Sequence, residues 1–198
     1  MTYRPLPVTT LQPETGFQRP FFSAPRPAKV SASALEVMTD LNFVAAATAG
    51  SGLDVETATQ KMIARGVRSL LVIDGANDVI GIVTSRDLIG ERPQRIMHER
   101  HINFGELRVQ DVMTPAAEIE VLPLTEVLHA RVGDIIETLK HSGRQHALVV
   151  EQDSANGKPM IRGIFSASQI ARQLGVPLDK HELEQTFAAI DRAIQSAG

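Results

Sequence analysis

The chain has 198 residues, a net charge of −3, 43% hydrophobic residues and no cysteine. This supports one ordinary domain or two small ones, and it excludes disulfides, thiol catalysis and cysteine-held metals. The slightly acidic balance lacks the basic excess of a nucleic-acid binder, and neither a signal peptide nor a membrane-length apolar run occurs, so a cytoplasmic protein is expected.

Residues 1–33 read as a proline-rich arm, with Pro5, Pro7, Pro13, Pro20, Pro25 and Pro27. Proline removes donors and restricts its predecessor, so regular structure is disfavoured there. Phe17, Phe21 and Phe22 leave two readings open: a disordered tail, or an arm packed on the body or on a partner subunit. From Leu35 the pattern becomes globular. Asp54 is placed to cap a helix whose face carries Val55, Ala58, Thr59, Met62 and Ile63, and Gly66 is placed to end it. Leu70 to Ile73 and Val79 to Val83 read as two strands joined by a turn at Asp74-Gly75. Thr84 then stands where a strand should stop and a helix start, with Asp87 three residues on. A hydroxyl there can cap the helix. The same free N–H groups can hold an anion, and with the carboxylate they suit a phosphate and a sugar diol. From this stretch alone, a capped helix with an exposed Asp remains the other reading.

The second half repeats the first. Val112-Met113-Thr114 repeats Val37-Met38-Thr39 at an offset of 75, Gly143 repeats Gly66 at 77, and Gly163-Ile164-Phe165-Ser166 repeats Gly81-Ile82-Val83-Thr84 at 82. Val132, Ile135, Ile136 and Leu139 restate the first helix face, and Ala147 to Val150 restate the first strand. The offset grows in loops, the last time at a longer turn around Asn156-Gly157, as a structural duplication requires. Each copy reads as strand, helix, strand, strand, helix. Neither is large enough to bury a sheet alone, so two copies sharing one core, sheet against sheet, are expected. A charged segment over 91–110 joins them. After Gly175-Val176-Pro177, Asp179 and Glu182 head a helix with Leu183, Phe187, Ile190 and Ile194 as one stripe.

With these residues in view, the chain resembles a tandem pair of cystathionine-β-synthase (CBS) domains, a Bateman module. The resemblance rests on the two Val-Met-Thr segments, the repeated element order and Gly81-Ile82-Val83-Thr84-Ser85-Arg86-Asp87, and covers roughly residues 34–175. It implies an α+β fold of the α/β type: two β-α-β-β-α repeats packed sheet to sheet as a pseudo-twofold pair, with an N-terminal arm and a C-terminal helix. The expected division is arm 1–33, first repeat 34–90, linker 91–110, second repeat 111–176 and C-terminal helix 177–198. The resemblance further implies a homodimer that binds an adenine nucleotide or related adenosyl ligand between the repeats. AMP, ADP, ATP, NAD(H) and S-adenosylmethionine are possible regulatory ligands, and no cofactor is required.

The family pattern carries onto single residues. Thr84 matches the hydroxyl that meets phosphate, and Asp87 the carboxylate that grips the ribose diol, which suits an ionised acceptor. Ile82 would line the base pocket, and Thr39 matches the place where the base edge is contacted. Arg68 and Arg86 are phosphate candidates. The second copy keeps the hydroxyl in Ser166 but has Gln169 in place of the Asp, which loses the charge-assisted grip. Its cleft is either empty or takes another ligand, with His146 and Arg144 as contributors. His146 also reads as an ordinary strand-start histidine.

No nucleophile–base–orienter set, Walker loop or H-E-x-x-H appears, so a non-catalytic module is expected. His98 and His101 are spaced for a metal, but a solvated linker helix is the better reading. The expected function is regulatory: a nucleotide changes the module's shape and an unknown protein partner reads it. The alternative is a structural or protein-interaction module with vestigial clefts.

Overall fold

The local signals close as the residues dictate. Asp54 accepts the Thr57 amide at 2.7 Å and starts helix α1, Val55–Arg65. Gly66 ends it at φ 63°, a left-handed conformation that glycine reaches without a Cβ penalty. In the second copy, helix α6, Val132–Ser142, ends the same way at Gly143, φ 64°. The computed structural model describes residues 27–155, 157–176 and 183–196. The expectations for Phe17, Phe21 and Phe22, for Asn156 and for the Asp179/Glu182 helix start lie outside these residues.

The strands are β1 Thr39–Asp40, β2 Thr48–Gly50, β3 Ser69–Ile73, β4 Val79–Thr84, β5 Thr114–Pro115, β6 Val121–Pro123, β7 His146–Gln152 and β8 Pro159–Ser166. The remaining helices are α2 Ser85–Ile89, α3 Glu91–Arg100, α4 Val109–Val112, α5 Leu124–Val127, α7 Ala167–Gln173 and α8 Leu183–Ser196. Among the described residues the strands form two four-stranded sheets, ordered β2-β3-β4-β5 and β1-β8-β7-β6. In each, a parallel pair (β2/β3 or β6/β7) adjoins an antiparallel hairpin (β3/β4 or β7/β8). The α+β architecture of two related halves, packed sheet to sheet, is the one the sequence predicts.

The lead-in segments cross over, which the repeat does not reveal. Strand β1 of the first copy pairs with β8 of the second, Thr39 opposite Ile164. Strand β5 of the second copy pairs with β4 of the first, Thr114 opposite Ile82. Ala34, Val37 and Met38 accordingly join the core of the second half, and Val109 and Val112 that of the first. Glycines admit these crossings. A Cβ on Gly163 would stand 2.5 Å from Met38 Sδ, and one on Gly81 would stand 2.8 Å from Met113 Sδ and 2.7 Å from the Thr114 carbonyl oxygen.

The expectation of one shared core is corrected. Each half has its own core between sheet and helices. The sheets meet over a smaller cluster of Leu71, Ile82 and Leu148. The helices supply enough apolar surface to cover the outer face of each sheet, so only the inner faces need each other. Helix α8 lays buried Phe187 and Ile190 on the core of the second half. The end of the arm is docked there too: Ala28 N–H donates to the Gln173 carbonyl at 2.8 Å and Gly133 N–H to that of Val30 at 3.0 Å. No helix among the described residues is long and apolar enough to cross a membrane.

Candidate functional site

The end of β4 builds the site. Thr84 caps α2, and the pair Thr84/Asp87 closes a capping box. Thr84 N–H and Oγ1–H both donate to Asp87 Oδ2, at 2.8 and 2.7 Å, and Asp87 N–H donates to Thr84 Oγ1 at 3.4 Å. Asp87 Oδ1 has no partner among the described residues and remains an acceptor for a ligand. The expected cradle of free N–H groups is reduced. The Asp87 amide is spent on the box, and the Ser85 amide donates to the Arg68 carbonyl at 2.9 Å. Of the first three amides of α2 only that of Arg86 is left, so most of any anion binding here falls to side-chain cations.

Thr84, Asp87, Arg86, Ile82 and His146 line one cavity of about 160 Å³ at the boundary of the two sheets. The other wall comes from the second copy: Thr114, Ile119, Glu120 and Arg144. Arg144 holds that wall in place, donating to the Glu118 carbonyl at 2.9 Å. The cavity opens into a larger groove of about 1630 Å³, and Arg86, Gly143 and Gln145 line both. Arg68 lies in the groove, not the cavity.

Thr39 is not brought to this site. Because β1 crosses to the other sheet, its hydroxyl donates to Gln169 Oε1 at 3.1 Å, and the place expected for it is taken by Thr114. Thr114 was legible only as the repeat of Thr39; no local feature tells which lead-in serves which cleft. Ser166 lies with the second copy, its Oγ 3.1 Å from that of Ser168. Thr39 and the neighbouring Asp40 are both taken up by internal bonds. Beside the Thr39–Gln169 bond, Arg162 pairs with Asp40 and, at 3.2 Å, with Glu151. Among the described residues no three His, Asp or Glu side chains cluster as metal ligands.

His146 starts β7 opposite Ser166. Its Nδ1 is buried without a hydrogen-bond partner among the described residues, an arrangement that costs stability. Burial pushes His146 down from its ordinary 6.5 to about 4, and the Arg68 charge adds to the shift. The folded ring thus stays neutral at pH values where the unfolded ring is protonated. The stability this represents is present above pH 6.5 and lost as pH falls from 6.5 towards 4. Urea unfolding at stepped pH should show His146→Asn flattening that decline; parallel slopes for the two proteins would rule it out.

Residues 34–93 match the family model of the CBS domain. The chain is 28% identical over 130 residues to an uncharacterized 17.7 kDa protein of Acidianus ambivalens, covering 66% of each. It is similar in structure to an uncharacterized conserved protein from Pyrococcus horikoshii, with TM-score 0.54, 21% identity, and coverage of 78% of this chain and 100% of that one. It is also similar to the CBS domain pair of protein MJ0100, determined in complex with 5′-methylthioadenosine and S-adenosyl-L-methionine, with TM-score 0.50, 15% identity, and coverage of 74% and 98%.

Proposed function

We propose that this chain, a tandem CBS-domain pair, is a regulatory, non-catalytic module that binds one adenosine-containing ligand at Thr84, Asp87 and His146 and passes its presence to a protein partner. The observation that carries this reading is the cavity itself. It brings an available carboxylate oxygen and the neutral ring of His146 to one sheet boundary, beside exposed Arg86. Asp87 Oδ1 is suited to a ribose diol, Ile82 and Ile119 to the base, and Arg86 to the phosphate. A cavity of about 160 Å³ is smaller than the ~300 Å³ and more typical of ligand pockets, so the nucleoside seats there and its phosphate faces the groove.

The second half suits the structural alternative, since Thr39 bonds Gln169 and Asp40 pairs with Arg162. One ligand per chain is therefore expected. Ile63, 68% exposed, and Ile89, 70% exposed, give the groove an apolar rim on which a second copy packs in this reading. Calorimetry with AMP, ATP, NADH and S-adenosylmethionine, run on a sample whose mass is measured by light scattering, tests both parts. Binding by at least one ligand with a stoichiometry near one per chain, on a dimer, is expected. No heat from any of the four removes the ligand reading, and a monomeric mass removes the dimer.

A further inference from the structure

The outer groove is charged against the trend of the chain. The chain carries a net −3, yet the groove is lined by Arg68, Arg86, Lys140 and Arg172 and, among the described residues, by one carboxylate, Asp191. Arg86 stands in both the groove and the ligand cavity. Gly143 also lines both, and Lys140 lies three residues before it, about 4.5 Å back along the axis of α6. Lys140 and Gly143 therefore line the same groove within one turn of each other.

Lys140 already holds an anion. It pairs with Asp191 of α8, and with Glu137 at 3.0 Å. Asp191 is the groove's own carboxylate, and it belongs to the helix that covers the core of the second half through Phe187 and Ile190. Lys140 is 23% exposed and Asp191 47%, so the pair is reachable from the groove.

We propose that the groove binds the distal phosphates of an adenosine di- or triphosphate, which take Lys140 from Asp191 and loosen α8. This rests on the nucleotide reading given above and names its ligand class. Lys140 and Arg172 then discriminate by phosphate number, because a monophosphate seated in the cavity ends at Arg86. An uncharged or cationic adenosyl tail gains nothing from a groove of this sign. Helix α8 becomes the element whose docking reports the ligand, since one of its polar ties is the bond that the phosphates compete for.

The test compares ATP with AMP by calorimetry in magnesium-free buffer, with hydrogen exchange read over residues 183–196. ATP is expected to bind about tenfold tighter than AMP or better, the scale of one charge-assisted hydrogen bond. Lys140→Gln should bring that ratio towards one, and exchange in α8 should quicken with ATP but not with AMP. Should Lys140→Gln fail to fold, Arg172→Gln, which leaves the Lys140–Asp191 pair in place, should lower the same ratio. Equal affinities in the unaltered protein, a ratio unmoved by the substitution, or α8 exchange indifferent to ATP overturns the proposal. Absence of binding by both nucleotides instead overturns the nucleotide reading on which it rests.

Discussion

Asp87→Ala should weaken binding of the proposed adenosine ligand by about 1.5–3 kcal/mol, roughly ten- to a hundredfold or somewhat more, the range for hydrogen bonds to a charged group. The same change removes a capping box, and a lost cap costs about 1 kcal/mol of stability. The two losses are separable because they use different oxygens. Oδ2 accepts both Thr84 donors, while Oδ1 is the oxygen left for a ligand in the proposed reading. Asp87→Asn keeps a carbonyl oxygen for Thr84 and places an amide where Oδ1 was. It should keep most of the cap and lose most of the binding. Calorimetry with urea unfolding on both variants decides this. An Asn variant that binds like the unaltered protein would mean that the carboxylate does not grip the ribose.

Gly81→Ala destabilises the fold by about 1–3 kcal/mol, the usual cost of forcing atoms into a packed site. The added Cβ meets the Thr114 carbonyl at 2.7 Å, and a backbone oxygen held in the β4/β5 pairing cannot step aside. Gly163→Ala is the internal comparison. Its nearest contacts are Met38 Sδ and Cγ, on an unbranched side chain with three rotatable bonds. It should cost less. Urea midpoints at unchanged denaturant slope would report the difference. If Gly163→Ala proves the more damaging, methionine packing rather than the backbone contact limits the crossing.

The two glycines also mark where reading the sequence stopped. The duplication is legible because periodic apolar positions and capping residues act over a few residues, and both copies carry them: Asp54 and the C-terminal Gly66 and Gly143 each form the predicted cap. Thr84 and Asp87 are legible for the same reason, since their bonds close within one helical turn. His146 could be named as a strand-start residue, but its orphaned nitrogen depends on what the opposite sheet does not offer. The repeat places Thr39 beside the wrong cleft, because its position there does not say which sheet edge it will join.

The sequence by itself therefore determined the two repeats, their strands and helices, and the residues at the β4–α2 junction, all of which are set by local hydrogen bonds and side-chain period. Only the tertiary structure decided that the lead-in strands exchange, that Thr114 rather than Thr39 lines the cavity with Asp87, that the Ser85 and Asp87 amides are already spent, and that α8 ties itself to the groove through Lys140. Those outcomes depend on shape and charge matched between residues far apart in the chain: a methionine over a missing Cβ, an edge strand completing the other half's sheet, a carboxylate meeting a lysine. Nothing in the spacing along the chain encodes such pairings before the two halves meet.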